Sequence, residues 1–214
     1  MEKLIAAAAI SPCSWGYHLG KQGAMRALFL IPFFLISLQG FILAQTPPSL
    51  VIVYSSTTGN TAQMAKAVAE GAMAEGGVEV KLGTIAEITQ MDLLRADAIL
   101  LGSPVYNANV DPRMQEFINA WPFEGRPLKD KVGAVFVSGG GISIGEELVM
   151  LNLIHALLIH GLVIVGGEEP EAAFGASAVT GETPFTSGKV EELFLEKAKG
   201  LGRRVAAYVK DRKS

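Results

Sequence analysis

The sequence predicts an α/β fold, a doubly wound five-stranded parallel sheet with helices on both faces. Three observations predict it. From residue 50 onward, short β-branched apolar runs alternate with helical patterns five times. The runs are apolar on both faces, as strands covered by helices on each side must be. Three of them leave through loops of small and polar residues. In such sheets ligands bind beyond the C-terminal ends of the strands, where strand order reverses, so these loops are where function is sought.

A first strand, Leu50-Val51-Ile52-Val53-Tyr54, runs into the loop Ser56-Thr57-Thr58-Gly59-Asn60-Thr61. A helix is expected over 62–75, with Met64, Val68 and Ala72 at helical spacing and Gly76-Gly77 to end it. Residues 78–82 read as the second strand, 85–94 as a turn or short helix, and 96–103 as the third strand. The next helix spans 111–121, with Asp111 as its cap and Pro112 in the first turn, where a missing N–H is tolerated. Pro122 and a charged stretch to Lys131 lead to a fourth strand over 132–137. A strongly apolar helix over 146–159 and a fifth strand over 162–165 follow. A polar, Gly-rich loop and a long amphipathic helix over 187–209 close the chain, with no internal repeat and no second domain in the pattern.

A chain of 214 residues, 50% hydrophobic, supports one well-buried domain. Its net charge of -3 and lack of a Lys/Arg run exclude a strongly basic nucleic-acid surface, so no nucleic acid is expected. The mean hydropathy of +0.35 is high for a soluble domain, and much of it lies before residue 45. Arg26, the apolar stretch 28–38 and Ala44 ahead of Gln45-Thr46-Pro47-Pro48 make a signal-peptide pattern over 25–44, with cleavage after Ala44. Ile42 is large for its place before the cut, so an uncleaved membrane anchor over 27–44 is the alternative, at about 18 residues. The expectation is an exported (periplasmic or extracytoplasmic) or membrane-anchored protein, and a cytoplasmic one if this segment is misassigned. Residues 1–24 lack periodicity and read as an upstream extension ahead of a start at Met25; 45–49 read as a linker and 50–214 as the domain. Cys13, the only cysteine, precedes the leader, so the mature chain has no disulfide, no thiol chemistry and no Cys-based metal site. Loss of Glu2, Lys3, Lys21 and Arg26 leaves 15 basic against 20 acidic residues, a net charge of -5.

The 56–61 loop stands at a helix N-terminus. First-turn N–H groups there lack intrahelical partners, the helix dipole adds partial positive charge, and Ser/Thr hydroxyls can donate to phosphate oxygens. Gly59 permits positive φ or a close approach. Ordinary N-capping uses the same residue types, so this loop alone leaves both readings open. It lacks the lysine of a Walker loop, which favours a phosphate monoester over ATP. In the second loop, Gly102-Ser103-Pro104-Val105-Tyr106-Asn107-Ala108-Asn109, Tyr106 offers a stacking face. The third, Ser138-Gly139-Gly140-Gly141-Ile142-Ser143-Ile144-Gly145, has four glycines in seven residues, more than a plain turn requires.

The first loop matches the flavodoxin phosphate-binding pattern Ser/Thr-any-Thr-Gly-any-Thr. With the second and third loops and His160-Gly161 ahead of the fifth strand, the chain over 50–210 resembles the flavodoxin-like superfamily. Within it, the chain is most similar to WrbA-type NAD(P)H:quinone oxidoreductases and NADPH-dependent FMN reductases. The resemblance implies strand order 2-1-3-4-5 and non-covalent FMN. It implies that Ser56, Thr57, Thr58, Gly59, Asn60 and Thr61 hold the phosphate, and that Pro104, Val105, Tyr106 and Asn107 lie along the ring. Ser138, Gly139, Gly140, Gly141, Ile142, Ser143 and Gly145 are implied at the pyrimidine edge. It further implies that Tyr106 stacks on a flavin or quinone and that His160, rather than His155, orients substrate or supplies a proton at the open flavin face. A helix-terminal histidine is also favoured by the dipole alone. The Gly175-Ala176-Ser177 stretch lacks the upstream Asp of a covalent-attachment signal. The implied activity is electron transfer from NAD(P)H to a quinone or similar acceptor, with a flavodoxin-type electron carrier as the alternative; a homo-oligomer is a further expectation. The segments between the second and third strands and after Val165 are shorter than in the tetrameric quinone reductases.

Overall fold

The computed structural model describes residues 46–213, and the expected leader and the extension ahead of it lie outside them. In chain order the elements are β1 (Ser49–Tyr54), α1 (Asn60–Glu75), β2 (Glu79–Thr84), α2 (Gln90–Arg95), β3 (Ala98–Tyr106), β4 (Asn109–Val110) and α3 (Pro112–Asn119). They continue with β5 (Val132–Gly139), α4 (Glu146–Ile159), β6 (Val163–Ile164), a 3₁₀ turn (Pro170–Ala172), β7 (Ala176–Val179) and α5 (Glu192–Lys213). Parallel pairing runs β2-β1-β3-β5, and the fifth position is shared: β6 pairs the first residues of β5 and β7 its last four. This is the doubly wound parallel sheet in the expected order, counting β6 and β7 as one interrupted strand.

Alternate residues of each central strand feed two cores. Leu50, Ile52, Leu100 and Phe136 pack under α1 and α5, while Val51, Val53, Ile99, Leu101, Val135 and Val137 pack under α2, α3 and α4. Both sets are almost fully buried, which explains why the strands read as continuous apolar runs.

Several boundaries differ from expectation. The fifth strand breaks after Ile164: the chain folds back through Gly166 and Gly167, where a Cβ would stand 2.1 Å from Ala173 O and 2.4 Å from Ala172 Cβ. It rejoins the sheet at β7, in a segment expected to be loop. Helix α1 starts at Asn60, because Gly59 caps it with φ 91°. Strand β3 runs on to Tyr106 and turns through Asn107 (φ 50°) and Ala108 (φ 57°) into β4, a two-residue hairpin with positive φ at both central positions. Helix α5 starts at Glu192 rather than 187, since Gly188 takes φ 73°, which no right-handed helix allows.

Helices α1 and α5 meet backbone to backbone. A Cβ on Gly202 would lie 2.0 Å from Val68 O, and one on Gly71 would lie 1.9 Å from Lys199 O. Gly202→Ala is therefore expected to cost about 1–3 kcal/mol, read as a lower urea midpoint. Gly140→Ala, whose Cβ would meet nothing within 4 Å, should stay within about 0.5 kcal/mol of wild type. An unchanged midpoint for Gly202→Ala would contradict the close packing.

Candidate functional site

Register brings the three loops to one end of the sheet. Tyr54 pairs with Gly102 and Gly102 with Phe136, so β1, β3 and β5 reach the same level before their loops begin. Ser55 N–H donates to Gly102 O at 3.0 Å and fixes the exit from β1.

In the first loop Ser56 Oγ accepts from Gly59 N–H at 3.1 Å. The first bond inside α1 is Gln63 N–H to Gly59 O, which leaves the amides of Asn60, Thr61 and Ala62 without an intrahelical acceptor. Thr57 and Thr58 are exposed, no acidic residue occupies the first turn, and the space over Gly59 is open. Asn60 Oδ1 is buried and has no partner, an acceptor suited to a hydroxyl. Free amides, exposed threonines and an orphan acceptor fit the phosphate and sugar-alcohol chain of FMN. Other atoms of the loop turn inward. Thr61 Oγ1 lies 2.8 Å from Ser138 Oγ, both buried, and Asn60 Nδ2 donates to Thr180 Oγ1 at 3.0 Å. Thr180 in turn donates to Gly139 O at 3.1 Å, so the first and third loops are tied together.

In the second loop Tyr106 is 39% exposed and its hydroxyl donates to Thr57 Oγ1 at 3.1 Å. Val105 points into the core beside Val110 and Met114, so only its backbone is available to a ligand, whereas Pro104 is half-buried. Asn107 occupies the hairpin turn, its carbonyl accepting from Asn109 Nδ2 at 2.9 Å. In the third loop Ser138 and Gly139 are the buried end of β5. Gly140 and Ser143 are exposed, and Ser143 takes φ 59°. The Ile142 amide donates to the Glu182 carboxylate at 2.7 Å and the Ile144 amide to the Glu146 carboxylate at 3.1 Å. A Cβ on Gly145, at φ 105°, would stand 2.6 Å from Ala108 Cβ, so the second and third loops touch.

His160 is the correction. It caps the far end of α4, directly before the stretch in which Val163 pairs with Val132, at the opposite end of β5 from Ser138. Six strand residues, about 20 Å, separate the two levels. Its imidazole is buried, 5.2 Å from the Trp121 ring and 5.4 Å from the Phe123 ring, so within one chain it does not join the loops. Burial, and secondarily Arg126, hold its pKa below the ordinary value.

Arg113, Thr180 and Glu182 were not singled out by sequence. Arg113 lies in the first turn of α3, its Nη2 donating to Thr57 Oγ1 at 3.0 Å and to Asp111 at 2.6 Å, and its Nε to both Asp111 oxygens. Asp111 is 1% exposed, and its N–H donates to Ser103 Oγ at 3.0 Å. Burial pushes the Asp111 carboxyl up, but hydrogen bonds from the Arg113 side chain and amide outweigh it and leave the pKa below its usual value. The available signal was a cation in the first turn of a helix, where the dipole disfavours it. Thr180 and Glu182 fell in apparent loop and carried none.

Residues 51–141 match a family model described as a flavodoxin domain. The chain is 32% identical over 184 residues to a NAD(P)H dehydrogenase (quinone) of Archaeoglobus fulgidus, spanning 73% of this chain and 95% of that protein. It is 31% identical over 170 residues to a flavodoxin of Aquifex aeolicus, spanning 75% and 86%. Among solved structures, a flavodoxin, WrbA-like protein from Agrobacterium tumefaciens is similar at TM-score 0.61 and 28% identity, over 77% of this chain and 98% of that one.

The depressed pKa of His160 has a testable sign. Unfolded histidine titrates near pH 6.5, so below that value the unfolded chain takes up a proton that the folded chain resists. Stability is therefore fully present above about pH 6.5 and falls from there down to the folded pKa. Urea unfolding of wild type and His160→Gln across about pH 8 to 5 should show the wild type losing more stability on acidification. Parallel curves for the two would contradict burial of the neutral ring.

Proposed function

Because the chain belongs to the flavodoxin family, we propose that it is an FMN-dependent oxidoreductase that passes electrons from NAD(P)H to a quinone or similar small acceptor. The observation that carries the cofactor is the donor set at the 56–61 loop: three amides without helical acceptors, with Thr57 and Thr58 exposed beside them. When bound, FMN supplies hydride acceptance from a nicotinamide and onward electron delivery. The chain's share is binding and orientation. The first loop holds the phosphate, Tyr106 flanks the ring, and the 139–145 loop borders its polar edge beside Ala108.

Likeness to a NAD(P)H dehydrogenase (quinone) along nearly its whole length supports the enzymatic reading. Likeness to a flavodoxin at nearly the same identity supports a second, an FMN electron carrier without NAD(P)H turnover of its own. Export through a signal peptide over 25–44, or membrane attachment through residues 27–44, belongs to the same proposal, and the attached form would bring a lipid-soluble quinone within reach.

Purified protein supplied with FMN is expected to show bound-flavin absorbance and to oxidise NAD(P)H only when a quinone is present. Bound flavin without NAD(P)H oxidation would move the assignment to the carrier. Failure to take up FMN in titration would overturn both.

A further inference from the structure

The first turn of α3 carries a cation at the end of the helix where the macrodipole opposes it. Neutralising the buried Asp111 explains why a cation is present, but not where its free edge goes. The Arg113 guanidinium bonds Asp111 through Nε and Nη2 and reaches, with the same Nη2, the hydroxyl of Thr57, 56 residues away on the 56–61 loop. Tyr106 donates to that same Thr57 oxygen. A threonine hydroxyl has two acceptor positions and one proton. With both positions filled by Arg113 and Tyr106, at 3.0 and 3.1 Å, the proton of Thr57 is left to donate elsewhere.

We propose that Arg113 is a positioning residue of the anion site: it fixes Thr57 as an obligate donor and adds positive charge one hydrogen bond away, selecting flavins that carry a phosphate monoester. This rests on the FMN reading above and adds to it a specificity element outside the 56–61 loop. The buried Asp111, held by Ser103, sets the guanidinium in place, and Thr57 passes its polarisation on to the ligand. An ammonium would lack the Nε bonds to Asp111 that hold the Nη2 nitrogen against Thr57.

The test is titration of the full-length protein and its variants with FMN and with riboflavin, which has the same ring and no phosphate. Losing a hydrogen bond to a charged group predicts FMN binding weakened by about 10- to 100-fold in Thr57→Val, with riboflavin binding within about twofold of wild type. Arg113→Gln, which frees Thr57 to turn its proton elsewhere, should weaken FMN in the same direction and leave riboflavin within about twofold, and added to Thr57→Val it should weaken FMN by less than it does alone, because its main route to the ligand is that hydroxyl. Arg113→Lys should recover part of the loss. Denaturation midpoints measured alongside identify any variant that fails to fold; Thr57→Val, a change at an exposed loop position, then carries the comparison. Equal weakening of both flavins by Arg113→Gln would reduce Arg113 to a structural partner of Asp111, and unchanged FMN binding would also overturn the proposal. Wild-type protein that binds riboflavin but gains nothing from the phosphate would overturn it while sparing a flavin site, and wild type that binds neither would overturn the FMN reading itself.

Discussion

Everything at the candidate site depends on the in-step parallel pairing of β1, β3 and β5. Because Tyr54, Gly102 and Phe136 stand at one level, three segments far apart in sequence open at one edge. A slip of one residue in any of these pairings would exchange the side chains feeding the two cores, so the separate packing of each face enforces the register. Gly102 shows how tight the constraint is: a Cβ there would overlap the Phe136 ring at 2.2 Å. The same hydrophobic packing that stabilises the sheet therefore sets the loop positions to within atomic contact.

Once the loops are gathered, polar contacts brace them against one another. Thr61 with Ser138, and Asn60 through Thr180 to Gly139, join the first loop to the third. Tyr106 and Arg113 join the second loop and α3 to Thr57, and Gly145 presses on Ala108. Such bracing limits the entropy lost when a ligand orders the loops, which is how preorganisation contributes to affinity. It also divides the labour within one motif. Thr61 is buried as a brace, while Thr57 and Thr58 are exposed.

Much of this was legible in the sequence, for identifiable reasons. Strands buried on both faces appear as apolar runs, and helix α4 was bounded correctly because Gly145 and Gly161 punctuate it. Strand β7 escaped notice because Ala-Ser-Ala-Val has one branched apolar residue and follows an 11-residue detour through 165–175. The end of β3 was missed because proline normally argues against an interior strand. His160 was expected at the site only through the family resemblance. The 14 residues of α4 in fact carry it about 21 Å back along the sheet. Arg113 illustrates the opposite limit. Its bond to Thr57 is a contact of long sequence separation, which no local pattern encodes.

The central claim is that the 56–61 loop holds a phosphate monoester through helix amides and threonine hydroxyls. The most direct measurement is the ³¹P resonance of FMN in its complex with the protein, followed against pH. Free phosphate monoesters change protonation near about pH 6. Donors fixed on the dianion should hold the bound resonance displaced and constant across about pH 5 to 8. A bound flavin whose phosphorus resonance titrates as it does in free solution would contradict the account.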